Sequence, residues 1–166
     1  MERKINYNWN ATAFFESLAK TNKLAIEKGY RFGRVSGLQG LEDYINAMQS
    51  TRCAVLVSDI ANGYTALNNT AHTRRVKTVF ILKRHPLDNM EAREACVEEM
   101  RELFRQFMTK LLLERTRIGE GPIYIDPRIQ FNEIPQYFAA GCACAYFQVA
   151  VDVYTDLRLN EDEWTR

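Results

Sequence analysis

Cys142 and Cys144, two residues apart, are the most suggestive chemical pair in the chain. A structural zinc site usually draws two cysteines separated by two to four residues and completes itself with a second such pair. No second pair is present, and in an extended strand residues two apart share a face, so packing is the stronger reading of both. Cys53 and Cys96, the remaining cysteines, fall in apolar patterns and read as free thiols in the core. The two histidines, His72 and His85, flank a basic segment, where the expected role is a solvated polar side chain. Cys53 with His72 would make a nucleophile and base only with a third, orienting group, and the sequence singles out none. Gly33, Gly37 and Gly40 form a glycine-rich stretch without the lysine and Ser/Thr of a phosphate loop, which leaves a connector. No catalytic residue, cofactor site or metal site is therefore expected.

What remains is charge. Arg74, Arg75, Lys77, Lys83 and Arg84 bracket one apolar run, and Glu161, Asp162 and Glu163 lie in the C-terminal tail. The basic set would suit a phosphate backbone or an acidic neighbour, but flanking charges also keep a sticky strand soluble, and that role is weighted more heavily. Overall, 22 basic against 21 acidic side chains give a net charge of +1, which supplies no global field for nucleic acid or an anionic membrane. With 46% hydrophobic residues in 166, the chain can bury a core as one domain. No apolar run approaches a membrane span and no secretory leader pattern opens the chain, so a cytoplasmic protein is expected.

These groups need elements to hold them. Residues 10–28 read as a helix, with Asn10 as N-cap, Phe14, Phe15, Leu18 and Ala25 on one face, and Gly29 closing it. Leu38, Leu41, Ile45 and Met48 recur at helical spacing and mark a second, shorter helix after the stretch 30–35. Residues 53–58 read as a buried strand, 59–63 as a turn, and 64–68 as a further strand. Residues 74–85 read as a middle strand, apolar on both faces at Val79, Phe80, Ile81 and Leu82.

The strongest element is a helix over 88–115. Asp88 as N-cap with Glu91 forms a capping box, and Cys96, Met100, Leu103, Phe104, Phe107, Leu111 and Leu112 give it an apolar face. Phe104, mid-helix on that stripe, is expected at the centre of the core. Acidic residues crowd its first half and basic ones its second, as the helix dipole favours. Residues 123–125 and 129–134 suggest short strands, the latter stopping at Pro135. From Gly141 the pattern alternates cleanly. Ala143, Ala145, Phe147, Val149, Val151 and Val153 hold one face, while Gln148, Asp152 and Tyr154 on the other suit a partly wet subunit contact. A frayed acidic tail, 160–166, follows, in which Trp164 has the size to dock.

The reading is thus α+β: an antiparallel β-sheet packed on one face by one long amphipathic helix, with N-terminal helices over 1–50, the sheet and long helix over 51–159, and the tail. The basic-flanked strand 75–83, the long helix, and the strand 141–154 in that order resemble the tail-completion, or tail-terminator, proteins of long-tailed phages and prophages. The resemblance covers residues 53–159. It implies a non-enzymatic structural subunit that joins a homo-oligomeric ring and docks with other phage tail proteins, made in the bacterial cytoplasm and carried into the virion. It implies no membrane, no specific nucleic acid and no small-molecule substrate as partner. In such a ring the acidic tail of one copy would meet the basic strand ends of the next. An adaptor domain of a cellular complex and an enzyme with a scattered site are the alternatives from other classes.

Overall fold

The computed structural model describes residues 7–48, 53–137 and 141–165. Asn10 caps α1 (Ala11–Thr21), its side chain accepting from the Ala13 N–H at 3.0 Å. The expected single helix over 10–28 is broken at Asn22. There the backbone turns extended, the Asn22 N–H donates to the Leu18 carbonyl, and the side chain accepts from Ala25 N–H to open α2 (Lys23–Lys28). One residue thus closes one helix and caps the next. Gly29, at φ 77°, ends α2, with its own N–H bonded to the Ile26 carbonyl and that of Tyr30 to the Ala25 carbonyl.

The stretch after it is a strand, β1 (Arg31–Val35), and it runs parallel to β2 (Cys53–Ala66), connected through α3 (Gly37–Ala47). This departs from the expected all-antiparallel sheet. A βαβ crossover was not legible because Gly33 and the arginines at 31 and 34 interrupt the apolar pattern of β1. Pairing with β2, not local preference, makes it a strand.

β2 is one strand where a strand, turn and second strand were expected. Val57 pairs with Val79 and Ala61 with Lys77, so Ser58, Asp59 and Ile60 together stand opposite Thr78. The turn chemistry of this segment forms a bulge. Lys77 Nζ donates to the Ser58 and Asp59 carbonyls at 3.1 and 2.7 Å, and Arg34 Nε donates to Asp59 Oδ1 at 2.9 Å. At Gly63 a Cβ would stand 1.8 Å from the Arg74 carbonyl oxygen, so only glycine lets the two backbones meet.

β3 (His72–Arg84) pairs antiparallel with β2 on one side and with β6 (Cys142–Tyr154) on the other, confirming a middle strand. Beyond β6, and sharing its far edge, lie β4 (Ile123–Ile125) and β5 (Gln130–Tyr137), both antiparallel to it. β5 does not stop at Pro135; the ladder shifts register between Ile134 and Tyr137 to pass it. The sheet order is β1-β2-β3-β6-β4, with β5 also on β6.

α4 (Met90–Ile118) is the expected long helix, unbroken over 29 residues. Its N-cap is Asn89, not Asp88: the Asn89 side chain accepts from the Ala92 N–H at 2.9 Å. Val97 joins the buried stripe and Leu112 leaves it, 59% exposed. α1, α2 and α4 pack on one face of the sheet around Phe15, Phe107 and Phe147, with the Phe15 and Phe147 rings edge-on at 5.4 Å.

The other face is not bare. α3 places Leu41 and Ile45 over Ala54, Leu56, Leu82, Cys142 and Cys144, so helices cover both faces at this end of the sheet. The architecture is α+β, a mixed six-stranded sheet with the long helix laid across it. Among the described residues no helix is long and apolar enough to cross a membrane.

Phe104 is only partly buried and lies at the margin of the core, 5.1 Å from the Phe147 ring and 5.4 Å from that of Phe131. The centre belongs to Phe107, 1% exposed. Phe107→Ala should therefore cost about 3–5 kcal/mol in denaturant unfolding. Phe104→Ala should cost at least about 1 kcal/mol less, because a partly exposed ring loses less transfer free energy. Equal losses would mean that the helix is rotated from the position described.

Candidate functional site

The covered and uncovered ends of β3 and β6 differ in what their side chains can do. Past Phe80 and Tyr146, whose rings stack tilted at 5.8 Å beside the α3 cluster, the second face opens. There Arg74 stands opposite Asp152 in the ladder. Its Nε and Nη2 donate to the two Asp152 oxygens at 2.7 and 3.0 Å, and Nη2 also reaches Asp126 Oδ2 at 3.0 Å. This fork ties β3 and β6 to the loop between β4 and β5, as a planar guanidinium does best. The two carboxylates hold the guanidinium pKa above its ordinary value, Asp152 having the larger effect.

Two concavities flank that loop. On the open face a cleft of about 310 Å³ is lined by Arg74, Asp126, Arg128, Gln130 and Gln148 over a floor of Val76 and Ala150. On the other side a groove of about 300 Å³ lies between α4 and the loop, lined mainly by Phe104, Met108, Leu111, Leu112, Ile129 and Phe131. Phe131 is 55% exposed there. The cleft offers hydrogen bonds and the groove apolar area. Among the described lining residues neither holds a cysteine, serine or histidine.

The candidate interface residues fare differently. Arg74, Gln148 and Asp152 meet at the cleft. Lys77 is spent on the bulge, and Lys83 Nζ donates to both Glu99 oxygens at 2.7 Å. Arg84 Nη2 donates to the Ile45 carbonyl at the end of α3. Arg75 is exposed, and Tyr154 is half-exposed opposite His72. Glu161, Asp162 and Glu163 form an exposed 3₁₀ turn capped by Asn160, and Trp164 after it is 71% exposed.

Of the five basic residues bracketing β3, four thus have partners within the chain. Asp126, Arg128 and Gln130 were missed in the sequence; their only local signal is the Asp-Pro-Arg turn, in which the Arg128 N–H donates to Asp126 Oδ1.

Glu99 joins three elements, accepting also from the Tyr30 hydroxyl at 2.9 Å. Burial, then the Glu99 charge, pushes the Tyr30 hydroxyl far above its ordinary pKa. All four cysteines are buried and free. Cys142 and Cys144 pack under α3, and among the described residues no three or more His, Cys, Asp or Glu converge as metal ligands would. His85 is not solvated as expected but 7% exposed, its ring nitrogens 3.0 and 3.1 Å from the Pro86 and Pro135 carbonyl oxygens. It holds the turn after β3 against β5. His72 is half-exposed, with Nδ1 2.9 Å from the Thr70 carbonyl oxygen. No protein-family profile matches the chain, and neither does any characterised protein.

Two predictions follow from this chemistry. Burial pushes the thiols of Cys53 and Cys142 up to about 11, and that of Cys144 further still. A disulfide reagent at neutral pH should titrate none of the four until the protein is unfolded, and elemental analysis should find no stoichiometric zinc; prompt labelling of any thiol, or one zinc per chain, would contradict the packing described.

The second concerns Glu133 on β5, which accepts from Arg101 of α4 at 2.8 Å and whose carboxyl pKa that bond lowers. A carboxyl with a depressed folded pKa stabilises the fold above the ordinary glutamate range and ceases to do so as pH falls through the folded value. The melting temperature of Glu133→Gln should fall less steeply on acidification than that of the wild type. Superimposable acid limbs would show the bridge to be inert.

Proposed function

We propose that this chain is a non-enzymatic structural subunit of a phage or prophage tail, of the tail-completion class, working by self-association and docking. The observation that carries this reading is the long helix α4 lying across a sheet whose β3 and β6 precede and follow it, with an apolar groove left open along its C-terminal half. Phe131, Leu112 and Leu113 are each more than half exposed along or beside that groove, a surface that subunit contact would desolvate. The near-zero net charge suits a protein that packs against copies of itself, since strong self-repulsion is absent.

The docking differs from the contact expected between acidic tail and basic strand. With Arg74, Lys77, Lys83 and Arg84 engaged internally, the apolar groove is the better candidate for the dominant contact. Partners in this reading are further copies in a ring and other tail proteins, and the protein passes from the bacterial cytoplasm into the virion.

Deletion of the gene in the parent phage or prophage tests the reading by electron microscopy of the particles. Tails of uncontrolled length, or heads and tails left unjoined, are expected. Normal infectious particles would refute it, as would turnover of a metabolite by the purified chain.

A further inference from the structure

The edges of the sheet are not treated alike. β1 covers β2 only from Ala54 to Ser58, and beyond the bulge residues 61–66 pair with β3 alone. Among the described residues nothing pairs with their outer side, and residues 61–65 are exposed. In an antiparallel ladder alternate residues turn both N–H and C=O away from the partner, so about three residues of this segment present unpaired backbone to solvent.

Among the described residues the other edges of the sheet are guarded. β1 carries Arg31 and Arg34, the latter bonded to Asp59. The β4–β5 edge is flanked or interrupted by Pro122, Pro127 and Pro135, three of the four prolines in the chain, and carries the Glu133–Arg101 pair. Proline and charge are the usual means of stopping a strand from adding to an edge. From Ile60 to Thr73 there is neither a proline nor a charged residue. The segment carries exposed apolar side chains instead: Ile60 at 49%, Tyr64 at 55% and Leu67 at 85%.

We propose that residues 61–66 are a docking edge for the same segment of a second copy of this chain. The two pair antiparallel about a two-fold axis near Gly63 and Tyr64, joining two sheets into one. A partner strand is specified by the open backbone itself, because only another strand satisfies a row of alternating donors and acceptors. A copy of the same edge is favoured because it is uncharged and so meets itself without repulsion, while the guarded edges of a second molecule are unfit to add there. With the axis at Tyr64, that residue lies beside its counterpart on one face, and on the other Leu67 of one copy stands opposite Ala61 of the other, next to its Ile60, so exposed apolar side chains are covered on both faces. Such a contact is isologous and closes at two copies. It does not rest on the tail reading. A six-residue ladder lies at the small end of specific interfaces, below about 1,200 Å² in total, so association is weak and visible only at high concentration.

Sedimentation of the full chain, in a dilution series reaching the millimolar range, should show a monomer–dimer equilibrium. Tyr64→Lys places a cation of each copy at the seam and should weaken it at least about tenfold, with an unchanged circular dichroism spectrum; because position 64 stands opposite Arg74, the melting temperature should fall slightly. Tyr64→Cys gives a readout that does not depend on destabilising anything. With the four native thiols buried, a short bismaleimide should join two copies through residue 64. A wild type that stays monomeric throughout overturns the proposal. So does a dimer that Tyr64→Lys leaves unchanged, or one that Tyr64→Cys fails to cross-link.

Discussion

The ladder between β3 and β6 is the constraint on which the other elements depend. Its pairing runs through thirteen consecutive residues, from His72 opposite Tyr154 to Arg84 opposite Cys142, without a shift in register. Because side chains alternate across a strand, this one register fixes two faces over the whole length of the sheet. Val79, Ile81, Phe147 and Val149 must share one face, and α4 has to lie there to cover them. Phe80, Leu82, Cys142 and Cys144 must share the other, which obliges α3 to cross over the near end. A slip by one residue would turn both sets out of their clusters. Where the covering helix ends, the ladder supplies its own compensation: Arg74 and Asp152 meet as a registered pair, and polar atoms replace a third layer.

That division explains the distribution of polar groups in the core. Lys83 falls on the α4 face of β3 but at its margin, where Glu99 can meet it, and Tyr30 reaches the same carboxylate from the end of α2. A partly buried charge pair on this scale is tolerated when its remaining hydrogen-bonding positions are filled, and Tyr30 fills one. The network links α2, β3 and α4, so the short N-terminal helices are fixed by the same sheet that fixes the long one. Asn22 adds a direct tie, its side-chain amide donating to Gln106 of α4 at 2.7 Å.

Local pattern made some of this legible and left the rest hidden for identifiable reasons. α4, β3 and β6 carry long unbroken periodicity, and each lies where that periodicity ends. The N-cap of α4 is displaced by one residue because Asp88 and Asn89 are both good caps and only the phase of the first turn selects between them. In β2 the segment from Asp59 to Gly63 carries the Asp, Asn and Gly of a turn, but Lys77 bonds the Ser58 and Asp59 carbonyls and Arg34 the Asp59 carboxylate from neighbouring strands, and the chain continues. Those partners are distant in sequence, and no window on β2 contains them. Arg74 and Asp152 were legible as charges facing outward, and their partnership was not, because it depends on the register of two strands 78 residues apart. Asp126 was invisible for the same reason at one further remove: a loop delivers it.

The charge arrangement bears on how such a molecule recognises anything. A basic strand read from sequence invites an electrostatic account of docking, in which free cations steer an acidic partner. Here the guanidinium and ammonium groups of Arg74, Lys77, Lys83 and Arg84 are held by carboxylates and carbonyls of their own chain. To use one of them outside, the protein would have to leave a carboxylate such as Glu99 or Asp152 unpaired, and the loss of a charge-assisted bond offsets much of what a new one gains. The apolar groove along α4 and the uncharged edge of β2 offer surface that can be covered without breaking such a pair. Contacts there gain by removing apolar area from water and by completing backbone pairing, neither of which costs an existing ion pair. In the two contacts proposed above, recognition thus rests on shape and strand geometry, while the charges of β3 hold the sheet in register.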